Sequence, residues 1–360
     1  MIILIDPADD IQYKSFYLYA LLRRFGSDCI SFSDAPFNDL SIAARNTKSM
    51  RFIVSDGMSE KRYVIHCDDT HIIHDELYRW TDVYGCVNTN WGKTPKEYHS
   101  KLVSLCPSFA IRYTKPFDAI AKAIATLPYC HANPKKHLGR WKRMIHRPRY
   151  KDYILGKGYM CDRPILSPLT RGSTPQGGRG AEGKLPSFIF HCSTLWQSDE
   201  WNRNDETVNL HRATFIRVCR SIPEMAFEGG LVSYRHDEAA HQFDDCLTHP
   251  YNANDYLQLT KQSLFVFNTP AYWGCHGWKL GEYMVLGKAM LSTPLNNDLP
   301  ATLKHGEHYH LIGDTSEVSI REAVVFMLDH PDYCINLGKN LHQYWDNYGS
   351  PEATLKLLGL

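Results

Sequence analysis

Residues 263–300 read SLFVFNTPAYWGCHGWKLGEYMVLGKAMLSTPLNNDLP. Leu264, Phe265, Val266 and Phe267 make a continuous apolar run that stops at Asn268-Thr269-Pro270, the pattern of a buried parallel strand ending in a loop. Gly274, Cys275, His276 and Gly277 form a small turn. From Trp278 to Lys288 the residues suit a helix, with Trp278, Leu280, Tyr283, Met284 and Leu286 available for burial. Ala289 to Ser292 reads as the next strand, and Pro294 and Pro300 punctuate the loop after it. Strand, glycine-containing loop, helix and strand make a βαβ unit.

Such a unit suits an anion. A helix start carries unpaired N–H groups and partial positive charge, and a glycine before it lets a phosphate approach the backbone. Lys279 and Glu282 are three apart and share a helix face. Helical side chains lean toward the N-terminus, so both point back to the phosphate position. A lysine there neutralises phosphate, and a carboxylate there accepts hydrogen bonds from ribose hydroxyls. The same two residues also make an ordinary surface ion pair, and the glycines an ordinary turn; spacing alone leaves both readings open.

The stretch GCHGWKLGEYMVLGKAMLSTPLNNDLPATLKHGEHYHLI, residues 274–312, resembles the donor-binding half of bacterial GT-B glycosyltransferases of the E-x7-E group. Glu282, Gly287, Lys288, Ser292, Leu299 and Pro300 match the family's pattern in order. The resemblance implies that Glu282 looks to the donor ribose. The first Glu of E-x7-E falls at Gly274 and is absent, so the family's retaining mechanism is not carried over. The match covers residues 255 to 360; the N-terminal half matches in layout only.

At 360 residues the chain has room for two domains. It carries 40 basic and 39 acidic residues, so no global field demands nucleic acid or a membrane. The 11 cysteines include no C-x-x-C pair and read as reduced thiols of a cytosolic protein. No apolar run reaches the length of a spanning helix, and MIILIDPADD lacks the basic start of a signal peptide.

Ile2 to Ile5 read as the first strand, Tyr13 to Phe25 as a helix and Cys29 to Phe32 as a strand, the opening of a Rossmann-like half. Arg51 to Val54, Tyr63 to Ile65 and Asp82 to Val87 read as further strands. Phe109 to Phe117 reads as strand and loop, and Ala119 to Leu127 as a helix. His66, Asp68 and Asp69 lie just past a strand's carboxyl end, where an open α/β sheet faces its crevice. They and neighbouring His71, His74, Asp75 and Glu76 lack an H-E-x-x-H or C-x-x-C frame, so they read as polar residues lining an acceptor cleft, or as a solvated loop, rather than a metal site. Residues 135–157 are basic and interleaved with aromatics, as for an anionic membrane surface, a nucleic acid without a recognised motif, or the basic face of a linker helix. Residues 163–186 are rich in Gly, Pro, Ser and Thr and read as a linker. Beyond it Ser187 to Cys192, Phe227 to Ser233 and Tyr309 to Ile312 read as strands. Asp205 to Ser221, Asn252 to Ser263, Glu317 to Leu328 and Asp332 to Tyr348 read as helices. Arg235 comes just after a strand and is a candidate phosphate ligand, or an exposed surface arginine.

The resulting expectation is an α/β protein of two Rossmann-like domains facing a cleft, residues 1–184 for the acceptor and 185–360 for a nucleotide-sugar. The resemblance supplies the reaction: transfer of a sugar from a nucleoside diphosphate to a hydroxyl of a glycan or lipid-linked glycan, of the bacterial surface polysaccharide type. Gly274, His276, Gly277, Lys279, Glu282 and Arg235 are the donor-binding residues. Asp68, Asp69 and His66 are the catalytic candidates. Asp68 is favoured as base because it comes most directly after its strand; Asp6, Asp9 and Asp10 are further carboxylates past the first strand. No metal and no cofactor is expected. The setting is cytoplasmic, with peripheral contact to an anionic membrane through the basic segment and no nucleic acid. A UDP-sugar 2-epimerase and a non-catalytic scaffold are the alternatives. A dinucleotide oxidoreductase is disfavoured because no G-x-G-x-x-G comes after Ile2 to Ile5.

Overall fold

A computed structural model describes residues 1–8, 11–111, 124–125, 127, 138, 187–196, 204–223, 225–234 and 238–360. The basic segment apart from Leu138, the linker, most of the expected helix 119–127, Asp9, Asp10 and Arg235 lie outside the described residues. The chain divides into two compact units: residues 1–160 with 297–302 and 346–360, and residues 161–296 with 303–345. The expected boundary at 184/185 falls outside the described residues, and the first unit gathers three stretches of chain. Both units are α/β.

The first unit begins as the apolar runs require. It contains β1 (Ile2–Ile5), α1 (Ile11–Phe25), β2 (Ile30–Phe32), α2 (Ile42–Arg45), β3 (Ser49–Ser55), β4 (Glu60–His66), α3 (Asp75–Trp80), β5 (Val83–Cys86) and β6 (Leu102–Ser104). The sheet order is β2-β1-β3-β4-β5-β6. β1 is parallel to β2, and β4, β5 and β6 are parallel, but β3 is antiparallel to both β1 and β4. The Rossmann-like opening expected from the sequence therefore has one reversed strand. Its cause is local: Asp56 accepts the N–H groups of Met58 at 2.9 Å and Ser59 at 2.8 Å, Gly57 takes φ 89°, and the chain folds back as a hairpin. Residues 109–111 are not a strand.

A buried charge network closes the carboxyl end of β1. Asp6 accepts from Arg51 Nε at 2.8 Å and from Arg45 Nη2 at 2.7 Å, and Arg45 also pairs with Asp34. Asp6 and Arg51 are both 0% exposed. Burial pushes the Asp6 carboxyl up, but Arg51, Arg45 and the Ala8 N–H outweigh it and hold its pKa below the ordinary value. Beneath lie Phe37, Ile53, Val64, Leu77 and Tyr84, each fully buried or nearly so, each contributing about 1.5–3 kcal/mol by burial.

The second unit contains β7 (Ser187–Thr194), α4 (Asn204–Arg220), β8 (Met225–Val232), α5 (Ala253–Gln262), β9 (Phe265–Asn268), α6 (Trp278–Val285), β10 (Ala289–Ser292), β11 (His310–Leu311), α7 (Glu317–Asp329) and α8 (Pro331–Tyr344). All its paired strands are parallel: β7 with β8, and β9, β10 and β11 in succession. β7 lies beside β9, where the Leu264 N–H reaches Phe188 O at 2.8 Å and Ser263 Oγ accepts from the Phe190 N–H at 2.9 Å. The order is thus β8-β7-β9-β10-β11, and its direction reverses between β7 and β9. Phe215, Phe265, Phe267, Leu291 and Val324 form the core, with Phe215 stacked on Phe267 at 4.2 Å.

Two residues of the family-like motif serve this packing. Gly287 ends α6 at φ 59°. Lys288 is buried and donates to the carbonyls of Lys261, at 3.1 Å, and Ser263, which cap the end of α5; burial pushes its pKa down to about 8. The expected closing helix, Asp332 to Tyr348, is α8 up to Tyr344. α8 gives way to a wide turn at Trp345–Gly349, and α9 (Pro351–Leu357) starts afresh, with the Ser350 side chain accepting from Ala353 N–H and Pro351 in the first turn. α9 packs on α1 in the first unit.

Candidate functional site

In an open α/β sheet ligands bind outside the carboxyl ends of the strands where the strand order reverses. In the second unit that place is the seam between β7 and β9, and two cations converge there. Lys279, in the first turn of α6, donates to Cys192 O near the end of β7 and lies 5.8 Å from the centre of the Tyr256 ring. Arg212 on α4 donates through Nε to Thr269 Oγ1 at 2.9 Å, just past β9, and through Nη1 to Thr194 O at 3.0 Å, the last residue of β7. Its guanidinium therefore spans the two strand ends. His191 senses this charge: burial, then Lys279 and Arg212, hold its pKa well below the ordinary value.

The backbone adds to the site. α6 starts at Gly277, which supplies no side-chain cap to its first turn. Glu282 is half-buried one turn further on, beside Tyr256 and Tyr283, whose pKa values it helps to raise. His276 is buried and Gly277 partly so in the turn that precedes the helix. Gly274 sits at φ 71°, and a Cβ there would lie 2.5 Å from Asn296 Nδ2. A side chain at that position would have to hold the left-handed backbone and displace Asn296, so the turn favours glycine where E-x7-E has its first acidic residue.

The structure brings Lys279, Glu282, His276, Gly274 and Gly277 to one loop–helix junction. Arg235 lies outside the described residues. Arg212 and Thr269 were not found from the sequence, though Arg212 carried a signal. In α4 the positions 208, 212, 215 and 219 share one face, and Val208, Phe215 and Cys219 are its apolar members. An arginine in that register is either buried with partners or misplaced.

The three catalytic candidates lie in the first unit, past β4. Asp69 is 2.6 Å and Asp68 3.4 Å from Lys48 Nζ. The hairpin explains this, since it returns the start of β3 to the end of β4, where the Cys67 N–H bonds Lys48 O at 2.8 Å. Asn88 donates to Asp68 O at 2.7 Å and accepts from Asn297 at 3.3 Å. His66 is buried; burial, with His74 and Lys48 against Asp68, pushes its pKa down to about 4, so it is neutral at physiological pH. Asp6 is not available as a base, because Arg45 and Arg51 hold both its oxygens in the interior. Among the described residues no three His, Cys, Asp or Glu side chains are grouped to hold a metal ion.

No family model and no curated protein matches the chain. Solved structures similar in fold include HepE of Anabaena in complex with UDP-glucose, at 12% identity over 99% of this chain and 97% of that one, TM-score 0.41. WaaG, a glycosyltransferase involved in lipopolysaccharide biosynthesis, is similar at 12% identity over 82% of this chain and 86% of that one, TM-score 0.34. TarM is similar at 10% identity over 87% of this chain, which spans 64% of TarM's length, TM-score 0.36. These structural matches, at low identity, are GT-B glycosyltransferases. No described helix is long and apolar enough to cross a membrane.

Proposed function

We propose that the chain is a glycosyltransferase that moves a sugar from a nucleoside diphosphate to a hydroxyl of a glycan or lipid-linked glycan, without a metal. The observation that carries the reading is the convergence of Lys279 and Arg212 at the β7/β9 reversal beside the start of α6. As the sugar–phosphate bond breaks, negative charge builds on the leaving diphosphate. An ammonium and a guanidinium already oriented by strand-end carbonyls stabilise that charge more in the transition state than before it, with little reorganisation. Glu282, one turn along, is placed to accept from ribose hydroxyls. The first unit would hold the acceptor, with Asp68 as the base that takes its proton if the anomeric centre inverts.

Calorimetric titration with UDP, GDP, ADP, CDP and dTDP, then incubation with the corresponding labelled nucleotide-sugars, tests the reading. At least one nucleoside diphosphate should bind, and Arg212→Gln should weaken it. Transfer of label to a glycan acceptor supports the reaction class. Release of an epimer, or binding without turnover, overturns it in favour of an isomerase or a scaffold. Absence of binding by every nucleotide overturns the donor site itself.

A further inference from the structure

Trp273 stands out in the loop between β9 and α6. It is the one non-glycine residue with positive φ among the described residues, at φ 56° and ψ 20°. A bulky side chain in that region is strained. The turn enforces it: Gly274 N–H bonds Ala271 O at 3.0 Å, Cys275 N–H bonds Tyr272 O at 3.0 Å, and Ala271 N–H bonds Cys275 O at 2.8 Å. Yet the indole is not buried in exchange, being 47% exposed. Strain and exposed apolar surface both cost stability, and folding recovers neither. Tyr272 backs the indole edge-on at 5.5 Å, and Trp196, just past β7, lies 6.2 Å from Tyr272 at an angle of 35°. The loop joins Thr269, which receives Arg212, to Lys279.

We propose that Trp273 is a stacking platform for the nucleobase of the bound nucleoside diphosphate. The proposal rests on the reading that the phosphates sit at Lys279 and Arg212. The loop that carries Trp273 leads directly into the helix that carries Lys279, so the indole is the exposed aromatic surface that a nucleotide held there has next to it in the chain. A planar heteroaromatic base then covers the exposed indole face, an interaction that every base can make and that is strong enough to govern affinity. Binding thus supplies the cover that folding withholds.

The test uses the full chain, titrated with whichever of UDP, GDP, ADP, CDP and dTDP binds tightest and, separately, with inorganic pyrophosphate, which has no base. Trp273→Ala should weaken the nucleotide about tenfold and leave pyrophosphate within about twofold, while Trp273→Phe keeps most of the affinity. Trp273→Gly should raise the thermal midpoint, because glycine accepts the positive φ, and still weaken the nucleotide; this shows that the loss is not unfolding. Equal effects on nucleotide and pyrophosphate, or no effect on either, overturn the stacking while an Arg212→Gln loss keeps the phosphate site. A loss confined to nucleotide-sugars assigns the indole to the sugar ring and also overturns it. If neither nucleotide nor pyrophosphate binds the unaltered protein, the phosphate site falls and the stacking with it.

Discussion

Among the described residues each unit has one place where its strand order reverses, and the two are finished differently. Between β1 and β3 of the first unit, Asp6 takes Arg51 and Arg45 into an ion network that is buried at Asp6 and Arg51 and reaches Asp34 at its edge. Between β7 and β9 of the second, Lys279 and Arg212 are held by strand-end carbonyls and a threonine hydroxyl. The charge of both is felt at His191. The same architectural feature serves the fold in the first unit and is where the donor site is proposed in the second. The reversed strand β3 contributes to this difference, because it carries Arg51 into the first seam, whereas the paired strands described in the second unit are parallel.

The largest expected effect is on stability. Asp6→Asn removes the carboxylate that Arg51 and Arg45 share and should destabilise the protein by about 3–5 kcal/mol, read as a fall in the urea midpoint. A loss under about 1 kcal/mol would mean that the network is solvated and that the two seams are alike.

The next concerns pH. The folded pKa of His66, about 4, lies below the ordinary 6.5. Its contribution to stability is therefore fully present above about pH 6.5 and is lost as the pH falls toward 4, since only the unfolded state takes the proton easily. The size is on the order of 3 kcal/mol. His191, depressed in the same direction, adds to the loss. Unfolding free energies measured from pH 7.5 to 4.5 should converge for the unaltered protein and His66→Asn at the acid end. Parallel curves would show that His66 is not held neutral.

In the second seam the effect falls on binding. Arg212→Gln should weaken the tightest nucleoside diphosphate by about 1.5–3 kcal/mol, the range for a charged hydrogen bond. Glu282→Ala should cost about 1.5 kcal/mol, the lower end of the same range. Calorimetry of folded variants checks both, and unchanged affinity in Glu282→Ala removes that residue from the site.

Much of this was legible in the sequence. The runs at Ile2–Ile5, Phe265–Asn268 and Ala289–Ser292 name strands because a strand buried on both faces has little freedom in composition. The junction of Gly277, Lys279 and Glu282 was readable because a helix start needs a small residue and concentrates charge. The direction of β3 was missed although Asp56-Gly57 marks a hairpin; its flanking apolar runs alone fix a strand's existence, not its orientation. Arg51 and Arg212 were missed for a shared reason. Each sits on a buried face and is held by partners distant in sequence, Asp6 and Thr269, which only the tertiary structure brings near. Lys48 was missed because it meets Asp68 and Asp69 only through the hairpin.

The smallest expected effect on stability is at Asp68, and it sharpens the contrast with Asp6. Asp68 and Lys48 are 38% and 40% exposed in their side chains and 3.4 Å apart. Such a solvated pair contributes about 0–1 kcal/mol, so Asp68→Asn should shift the urea midpoint by less than about 1 kcal/mol in free energy, against the several expected for the same chemical change at Asp6. Stability and turnover then separate at this residue. A base that removes the acceptor proton is worth about 10²–10⁴ in rate, so a folded Asp68→Asn that binds nucleotide normally but turns over at least a hundredfold more slowly places the base at the end of β4. Near-normal turnover removes Asp68 from the chemistry. Product anomer analysis by NMR then decides between another base, required by inversion, and retention, which needs none at this position.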